Sequence, residues 1–554
     1  MRLLVRLLPA VLAVATLACG SQAAAPAQAP SGSQGAADQP VTGGRLSRWV
    51  TADPTGWDPS IQNVSSVSDR WLINSYERLL GFKMDPSLKF SDMQLQGELA
   101  ESWTVSPDAK TFTFNLRKGV KWQNLPPVNG REFTSADVKF SYEYATRSGE
   151  FKDKKLKPAA FDWWFEGMEG IETPDKYTVV VKFSKPFVPF ITYTGVDKNV
   201  IYAREIFDKE GDFLNTLVGT GPFIFDTAAS QKGTRWVMKK NPDYRIAGRP
   251  YLDEVWGLVL PDASTALAAF KTKQIDLLGG SGDNSGAALT SVEIQTIKRD
   301  NPEAVVVSQQ NINTDNIYMF LYGPPFDNVK VRQAVAYAIN RDEFIKTFGN
   351  GEGEWSLAGG LPDTFTDAER HQILKHDPEK AKQLLAEAGH ASGLKIEFLG
   401  SVAYGEVYKT KAQLLQSQLK KVGIDMSIQM MDHADYLKRT RTGGKFDITF
   451  RGKALFVDID SYAYAVFHPK GSTEGGGGPN DPFMTPLLEQ QRQETDTAKR
   501  KEMMRSVIKY ANEQAYRLGL IYVPEYNVYS SRVKGFPSHL QANAQAFTNA
   551  WIAK

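Results

Sequence analysis

Alternating strand and helix patterns in the second half of this chain constrain its fold more than any other sequence feature. A helical pattern of apolar residues begins at Asp377-Pro378 and ends at Gly389. Strand-like alternation then occurs three times, with helical spacing in between, at 394–398, 424–430 and 446–450. Helices between consecutive strands act as right-handed crossovers, which produce a parallel, buried sheet. This half of the chain is therefore predicted to form an α/β lobe.

The first half contains more strands than long helices. Apolar and polar residues alternate at 110–116 and 177–183, as in half-buried strands. Thr134 is followed three residues later by Asp137, a combination typical of a helix start. The adjacent Trp163-Trp164 are predicted to pack in the core. With 554 residues the chain is too long for one hydrophobic core, which predicts roughly two or three domains.

Two loops follow the carboxyl ends of predicted strands, at 400–405 and 451–462. Ligands bind at this edge of open α/β sheets, so these loops are predicted to form the mouth of a binding site. The glycine-rich stretch 349–360 is a third candidate segment, because a tryptophan there without strand or helix pattern suits a ligand-stacking wall. The candidate ligand-binding residues in these segments are Trp355, Tyr404, Lys453, Phe456, Asp458, Asp460 and Tyr462.

Asp458 and Asp460 also admit two other interpretations. Acidic residues commonly cap helices, and a helix is predicted to start near Ser461. Two neighbouring carboxylates could instead serve as acid and base in an exported hydrolase acting on oligosaccharides. The chain lacks H-E-x-x-H, G-x-S-x-G and the phosphate-binding G-x-x-x-x-G-K-[ST]. Its six histidines are scattered, so neither a protein-built metal site nor a cofactor is predicted.

The N-terminus is typical of an exported, lipid-anchored protein. Two arginines precede an uncharged apolar run at 7–18, which is too short to span a bilayer. The only cysteine, Cys19, follows this run as in a bacterial lipobox, so residues 1–19 are predicted to be a signal peptide with a lipidated cysteine. A chance cysteine in a signal peptide cleaved elsewhere is the alternative. Residues 20–44 are poor in large apolar residues and are predicted to be a disordered tether.

The charge balance argues against a nucleic-acid partner. The chain carries 65 Lys and Arg against 63 Asp and Glu, a formal net charge of +2. Nucleic-acid binders need a strong basic excess, because neutralised phosphates supply most of their affinity. No later stretch of the sequence is long and apolar enough to span a bilayer, so the folded body is predicted to be soluble.

Several sequence blocks follow one another along the body of the chain. The first combines ESW (101–103), LRKGVKW (116–122) and FTSADVKFSYEYA (133–145). The later blocks are GTGPF (219–223), FDNVKVRQAVAYAINRDEFI (326–345), HDPEKAKQLLAEAG (376–389), KFDITFRG (445–452) and the segment 494–524. In this order they resemble the bacterial extracellular solute-binding protein family 5, the dipeptide, oligopeptide and nickel-binding type that serves ABC importers. The resemblance extends from about residue 45 to the end of the chain.

The resemblance implies an α/β, two-lobed fold of the periplasmic-binding-protein type, with a hinge and an inserted subdomain in the first lobe. The implied boundaries are 45–90, 216–312 and 527–554 for lobe I, 91–215 for the insertion and 313–526 for lobe II. The two chain crossings between the lobes are predicted near 317–322 and 521–526.

The resemblance also implies a receptor, not an enzyme, that encloses an oligopeptide or similar hydrophilic solute. The receptor would deliver the solute to an ABC permease with a separate ATPase. We expect a monomer, lipid-anchored at the outer face of the plasma membrane or periplasmic. Lys453 replaces the family's tryptophan, and 454–457 lacks the acid that pairs with a peptide's amino terminus. This departure favours an anionic or hydroxyl-bearing group. The alternative solutes are a sugar, an opine-like compound or a metal chelate. The alternative role is that of a sensory or chaperone-like binder without a transporter.

Overall fold

The computed structural model describes nine stretches of the chain, namely residues 39–61, 66–83, 94–279, 289–310, 314–440, 444–453, 458–471, 478–536 and 547–553. The predicted lipidation residue Cys19 and the predicted ligand residue Phe456 lie outside these residues. So do most of the predicted tether and the side chain of Lys453. None of the helices in the described stretches is long and apolar enough to cross a membrane.

The strands of the described residues are β1 (Arg45–Val50), β2 (Leu80–Phe82), β3 (Leu95–Gly97), β4 (Ala100–Val105), β5 (Thr111–Leu116), β6 (Met168–Asp175), β7 (Thr178–Phe183), β8 (Phe223–Phe225), β9 (Arg235–Lys240), β10 (Glu254–Val259), β11 (Leu277–Leu278), β12 (Val305–Gln310), β13 (Thr314–Met319), β14 (Glu354–Trp355), β15 (Leu394–Ser401), β16 (Ile424–Met431), β17 (Ile448–Lys453), β18 (Arg517–Gly519), β19 (Ile521–Tyr522), β20 (Pro524–Tyr529), β21 (Val533–Lys534) and β22 (Trp551–Ile552).

The α-helices are α1 (Ser66–Ser75), α2 (Ser135–Thr146), α3 (Phe190–Tyr193), α4 (Arg204–Glu210), α5 (Ala263–Lys271), α6 (Ser291–Asp300), α7 (Val329–Ala338), α8 (Arg341–Phe348), α9 (Asp367–Ile373), α10 (Pro378–Glu387), α11 (Gly405–Lys420), α12 (His433–Thr440), α13 (Ile459–Phe467), α14 (Met484–Gln490) and α15 (Thr497–Glu513). Short 3₁₀ helices lie at Gly149–Phe151, Asp162–Phe165 and Val402–Tyr404.

A seven-stranded mixed sheet draws its strands from widely separated parts of the chain, in the order β12-β20-β11-β1-β10-β9-β8. Strand β1, which comes first along the chain, lies parallel to β10, with Arg45 opposite Glu254. The sheet also receives β20, from near the end of the sequence, which pairs antiparallel with β12. This sheet therefore ties the two ends of the folded chain together.

A five-stranded sheet contains the predicted α/β pattern, in the order β16-β15-β17-β13-β18. Strand β15 lies parallel to both β16 and β17, which confirms the parallel arrangement expected from the alternating helices. The sheet as a whole is mixed, because β13 pairs antiparallel with β17 and β18. One apolar core covers one face of these strands, with Phe398, Ile424 and Phe450 all fully buried. We call residues 314–522 the five-stranded unit.

A third sheet has four antiparallel strands in the order β4-β5-β7-β6. Along the chain these strands come after β1 and before β8, both of which belong to the seven-stranded sheet. Strands β5 and β7 confirm the alternation predicted at 110–116 and 177–183. Helix α2 packs on this sheet and begins with the predicted capping box, in which Thr134 and Asp137 satisfy each other's backbone amides. We call residues 100–210 the four-stranded unit.

The chain passes between the seven- and five-stranded sheets at two places. The first passage falls between β12 and β13, upstream of the predicted position at 317–322, so that position was wrong. The reason is that the alternating residues 314–319 form β13, which lies inside the five-stranded sheet between β17 and β18. The second passage falls between β18 and β20, where the sequence predicted it.

The largest apolar core runs through more than one unit. It contains Leu46 from β1, Phe114 from the four-stranded unit, and Phe467 and Met504 from α13 and α15 of the five-stranded unit. All four side chains are fully buried. The four-stranded unit therefore packs against helices α13–α15 as well as against the seven-stranded sheet.

Candidate functional site

The carboxyl ends of β15, β16 and β17 lie at one edge of the five-stranded sheet, because the three strands are parallel. These strands end at Ser401, Met431 and Lys453. The Ser401 hydroxyl is buried and lies 3.0 Å from Nδ1 of His433, the first residue of α12. This edge is where the sequence predicted the mouth of a binding site.

Tyr404 lies at this edge, in the short 3₁₀ helix after β15. Its ring is half-buried among other rings, with centroids 4.9 Å from Tyr408, 5.4 Å from His433 and 5.6 Å from Tyr436. Aromatic pairs at these distances stabilise one another beyond simple burial. The arrangement fixes the ring of Tyr404 beside the sheet edge, and its contact with a ligand stays a prediction.

Two buried arginines approach the ring of Tyr318 in β13. The guanidinium of Arg517 lies 4.5 Å from the ring centroid and that of Arg451 lies 5.3 Å from it. Nη1 of Arg517 donates to the carbonyl oxygens of Met319 and Tyr516, whereas its Nε has no partner among the described residues. Burial, with a smaller contribution from Arg451, lowers the pKa of Arg517. A bound anion would offset the buried charge of Arg517, which has no carboxylate partner among the described residues.

The sequence predicted that Trp355 lies in an irregular loop, but the structure places it in a short strand. It forms β14 with Glu354 and pairs antiparallel with β19, a partner that is distant in the sequence. Its side chain is only 5% exposed, its Nε1 donates to Asp342 at 2.7 Å, and its ring stacks 3.9 Å from His371. These contacts account for a structural role, and the predicted ligand contact has no further support from them.

Asp458 caps helix α13, which confirms the capping interpretation. Its carboxylate accepts from the backbone amide of Asp460 at 2.8 Å, and the helix begins at Ile459, before the predicted Ser461. Arg500 in α15 donates two hydrogen bonds to the same carboxylate, at 2.8 and 3.0 Å. The ion pair more than offsets the effect of burial and raises the pKa of Arg500.

Asp460 is fully buried and accepts hydrogen bonds from four groups. Arg492 donates from Nε and Nη2, each at 3.1 Å, and the side chains of Gln491 and Tyr193 donate as well. Arg492 also donates to Glu166 of the four-stranded unit, at 2.5 Å. Because both aspartates hold arginines, neither offers the free carboxyl group that the hydrolase interpretation requires.

Tyr462 lies one turn further along α13 and is fully buried. Burial, followed by the neighbouring Tyr318, raises the pKa of its hydroxyl well above the ordinary value. Tyr462 therefore lies near Tyr318 and Arg517, inside the five-stranded unit. Its predicted ligand contact is not tested by this placement.

Sequence reasoning missed the arginines that hold α13 and the residues that reach them from the four-stranded unit. Arg492 follows α14, and Arg500 lies in α15. Glu166 lies 326 residues before its partner Arg492, and Tyr193 lies 267 residues before its partner Asp460. No local pattern marks such pairs, because each contact depends on tertiary packing. The only indication of these arginines in the sequence was the pair Asp458 and Asp460, because acids that become buried need cationic partners.

A surface cavity of about 580 Å³ lies away from the sheet edge described above. It runs beside β8 and β9 and is lined by Leu125, Pro126, Leu217, Ile224, Asp226 and Lys239, among others. None of the residues that the sequence predicted to bind ligand lines it. Within the described stretches, no group of three or more His, Cys, Asp or Glu side chains is arranged to hold a metal ion.

Comparison with known proteins connects this architecture to one family. The model of the bacterial extracellular solute-binding proteins, family 5 (middle), matches residues 94–474, more than half of the chain. The dipeptide-binding protein of Escherichia coli K12 is 27% identical over 504 residues, which cover 87% of this chain and 90% of that protein.

Solved structures give the same result. The periplasmic binding protein DppA of Helicobacter pylori, in complex with the peptide STSA, superposes with a TM-score of 0.79 at 25% identity, covering 93% of this chain and 99% of that one. The binding protein AgaA of A. tumefaciens R10, in complex with agropinic acid, gives 0.78 at 26% identity, covering 92% and 99%. The chain therefore belongs to the bacterial extracellular solute-binding proteins of family 5 and is a solute-binding protein with their two-lobed fold.

Proposed function

We propose that this protein is the extracytoplasmic receptor of an ABC importer and delivers its solute to a membrane permease. The observation that carries the proposal is the pair of sheets joined by two chain passages, within a chain that belongs to family 5. Two sheets linked by such passages can move relative to each other around a solute, and a solute that contacts both sides favours the closed form. The relatives are binding proteins, and we propose that this chain likewise catalyses no reaction.

The proposed solute is a small peptide or an opine-like compound that carries an anionic group. Solved relatives hold a peptide and agropinic acid, and both types of solute carry a carboxylate. In this chain Arg451 and Arg517 are buried near Tyr318, and Lys453 ends the neighbouring strand β17. A carboxylate placed near Arg517 would compensate a charge that burial makes costly.

Calorimetry tests the solute class. The panel contains di- to tetrapeptides, including Ser-Thr-Ser-Ala, each as free acid and as C-terminal amide, together with agropinic acid. We expect at least one free acid to bind at least tenfold more tightly than its amide, because charge-assisted hydrogen bonds to arginine are stronger than neutral ones. Equal binding of acid and amide would contradict the anionic group while leaving the receptor intact. Failure of the whole panel to bind would contradict the peptide and opine class.

We also propose that Cys19 anchors the protein to the membrane and that the protein acts as a monomer. The proposal rests on the apolar run followed by the single cysteine of the chain. The Cys19→Ser variant is expected to leave the membrane fraction and to lose metabolic labelling by a fatty acid. Unchanged partition of the variant would contradict lipid anchoring. Native mass spectrometry of the released protein, expected at the mass of one chain, tests the monomer.

A further inference from the structure

A buried polar network connects the four-stranded unit with helices α13–α15. Arg492 and Asp460 form its centre, and their side chains are 4% and 0% exposed. From the four-stranded unit, Tyr193 donates to Asp460, and Glu166 accepts from Nη1 of Arg492 at 2.5 Å. Glu166 also accepts from the hydroxyl of Tyr464 at 3.0 Å. The network therefore crosses the boundary between the two units.

Aromatic rings pack around the buried centre of this network. The ring of Trp163 stacks on that of Tyr464 with centroids 5.9 Å apart, and the guanidinium of Arg492 lies 3.1 Å from the Tyr464 ring centroid. A backbone hydrogen bond of 2.8 Å runs from Val188 of the four-stranded unit to the carbonyl oxygen of Arg492. Hydrogen bonds in such a buried setting are worth more than at the surface, because water does not compete for the same groups.

The charged partners within this network are distributed so that the buried acid and its arginine lie on the same side of the boundary. Asp460, Gln491 and Arg492 all belong to the five-stranded unit, so the buried acid and its arginine stay paired with each other if the units part. Glu166, on the other side, is already 43% exposed and accepts water readily. Separation breaks the bonds made by Tyr193 and Glu166 without leaving a buried charge alone, which would be strongly unfavourable.

We propose that Tyr193 and Glu166 are positioning residues for solute capture, which hold α13 against the four-stranded unit in the enclosed form and release it when the protein opens. The inference rests on the proposed function, because it assigns the contact to the closing step of a receptor. Neither residue touches the solute. Both change the fraction of closed protein, and the apparent dissociation constant is the intrinsic constant divided by that fraction.

A distance measurement in solute-free protein tests the inference without any ligand. Cys19 is the only cysteine, so spin labels at Glu169→Cys in β6 and Lys501→Cys in α15 are unique in a Cys19→Ser background; both positions are exposed. The test variant is Tyr193→Phe with Glu166→Gln. The control is Tyr142→Phe, because Tyr142 is equally buried in the four-stranded unit and its hydroxyl has no described partner.

We expect the test variant to populate longer distances than the parent protein, and the control to match the parent. Loss of the Tyr193 hydrogen bond, together with loss of the negative charge at Glu166, corresponds to a shift of about tenfold in the ratio of closed to open molecules. Identical distance distributions in test variant and parent would overturn the inference. A test variant that melts below the control but shows no change in distance would also overturn the inference, because the two residues would then serve stability alone.

The tightest solute from the calorimetric panel provides the second readout. We expect its apparent dissociation constant to rise by up to about tenfold in the test variant, with no change in the control. An unchanged constant would overturn the inference. If the panel contains no binder, the proposed function fails for that solute class, while the distance measurement still decides the inference.

Discussion

Asp458 caps α13 and Arg500 lies in α15, and each reduces the cost of burying the other. Their side chains are 8% and 14% exposed and are joined by two hydrogen bonds. The same unit buries Arg517, which donates to backbone carbonyl oxygens and has no carboxylate partner among the described residues. Substitution of Arg500, which is paired with a carboxylate, is therefore expected to change the free energy of unfolding differently from substitution of Arg517.

Removal of Arg500 is expected to destabilise the protein strongly. The Arg500→Met variant leaves Asp458 buried without its cation, which costs about 3–5 kcal/mol of unfolding free energy. Lys499→Met is the matched control, because Lys499 is one residue away and its ion pair with Glu494 is exposed at the lysine. Urea denaturation measures both. A loss in Arg500→Met no larger than that of the control would contradict a buried, stabilising ion pair.

His468 at the end of α13 is expected to make stability depend on pH. Its ring stacks 4.1 Å from Tyr464 and lies 3.3 Å from Glu489, with Arg492 and Glu166 nearby. Burial lowers its pKa below 6.5, although Glu489 acts in the opposite direction. Between that lower value and 6.5 the unfolded chain binds more protons, so the free energy of unfolding decreases as pH falls through this range.

Histidine NMR titration and urea denaturation at pH 7.5 and 5 measure this effect. The His468→Gln variant is expected to lose less stability than the parent over this interval, and its spectrum identifies the His468 resonance. A resonance that titrates above pH 6.5 would contradict the account, and so would an equal loss of stability in parent and variant.

Secondary-structure elements with local signals could be predicted from the sequence. Thr134 and Asp377 cap α2 and α10 as expected, because a cap depends on residues three or four positions apart. Trp355 was placed wrongly because β14 exists only through pairing with β19, more than 160 residues later. The first passage between the sheets was misplaced for the same reason, since the neighbours of β13 are distant in the sequence.

The glycines of the GTGPF block are explained by packing between elements. A Cβ on Gly219 would lie 1.9 Å from the carbonyl oxygen of Ser75, at the end of α1. A backbone atom cannot move aside cheaply, so Gly219→Ala is expected to lower the free energy of unfolding by about 3 kcal/mol. Gly170→Ala in β6 is the control, because a Cβ there meets no atom within 4 Å. Equal melting temperatures for the two variants would contradict this close approach.

At the scale of the whole molecule, the sequence blocks were sufficient to predict the family, the two-lobed fold and membership of the solute-binding proteins. They did not reveal that the four-stranded unit shares one apolar core with helices α13–α15, because that core is assembled from residues more than 250 positions apart, such as Tyr193 and Phe467. The parallel strands β15 and β17 were predicted correctly, and a binding site at their carboxyl ends stays a prediction. Its arginines were missed because a buried arginine on a strand resembles an exposed one in sequence.

Native mass spectrometry of the protein purified from its own cells without denaturation tests the central claim most directly. A receptor that encloses a solute is expected to retain a discrete added mass on a single chain, and denaturation is expected to release that mass intact. The exact mass then identifies the solute, which we expect to be a peptide or opine-like acid. A protein that carries no added mass, even after incubation with a pooled library of peptides and opines, would contradict the account, as would a solute released in cleaved form.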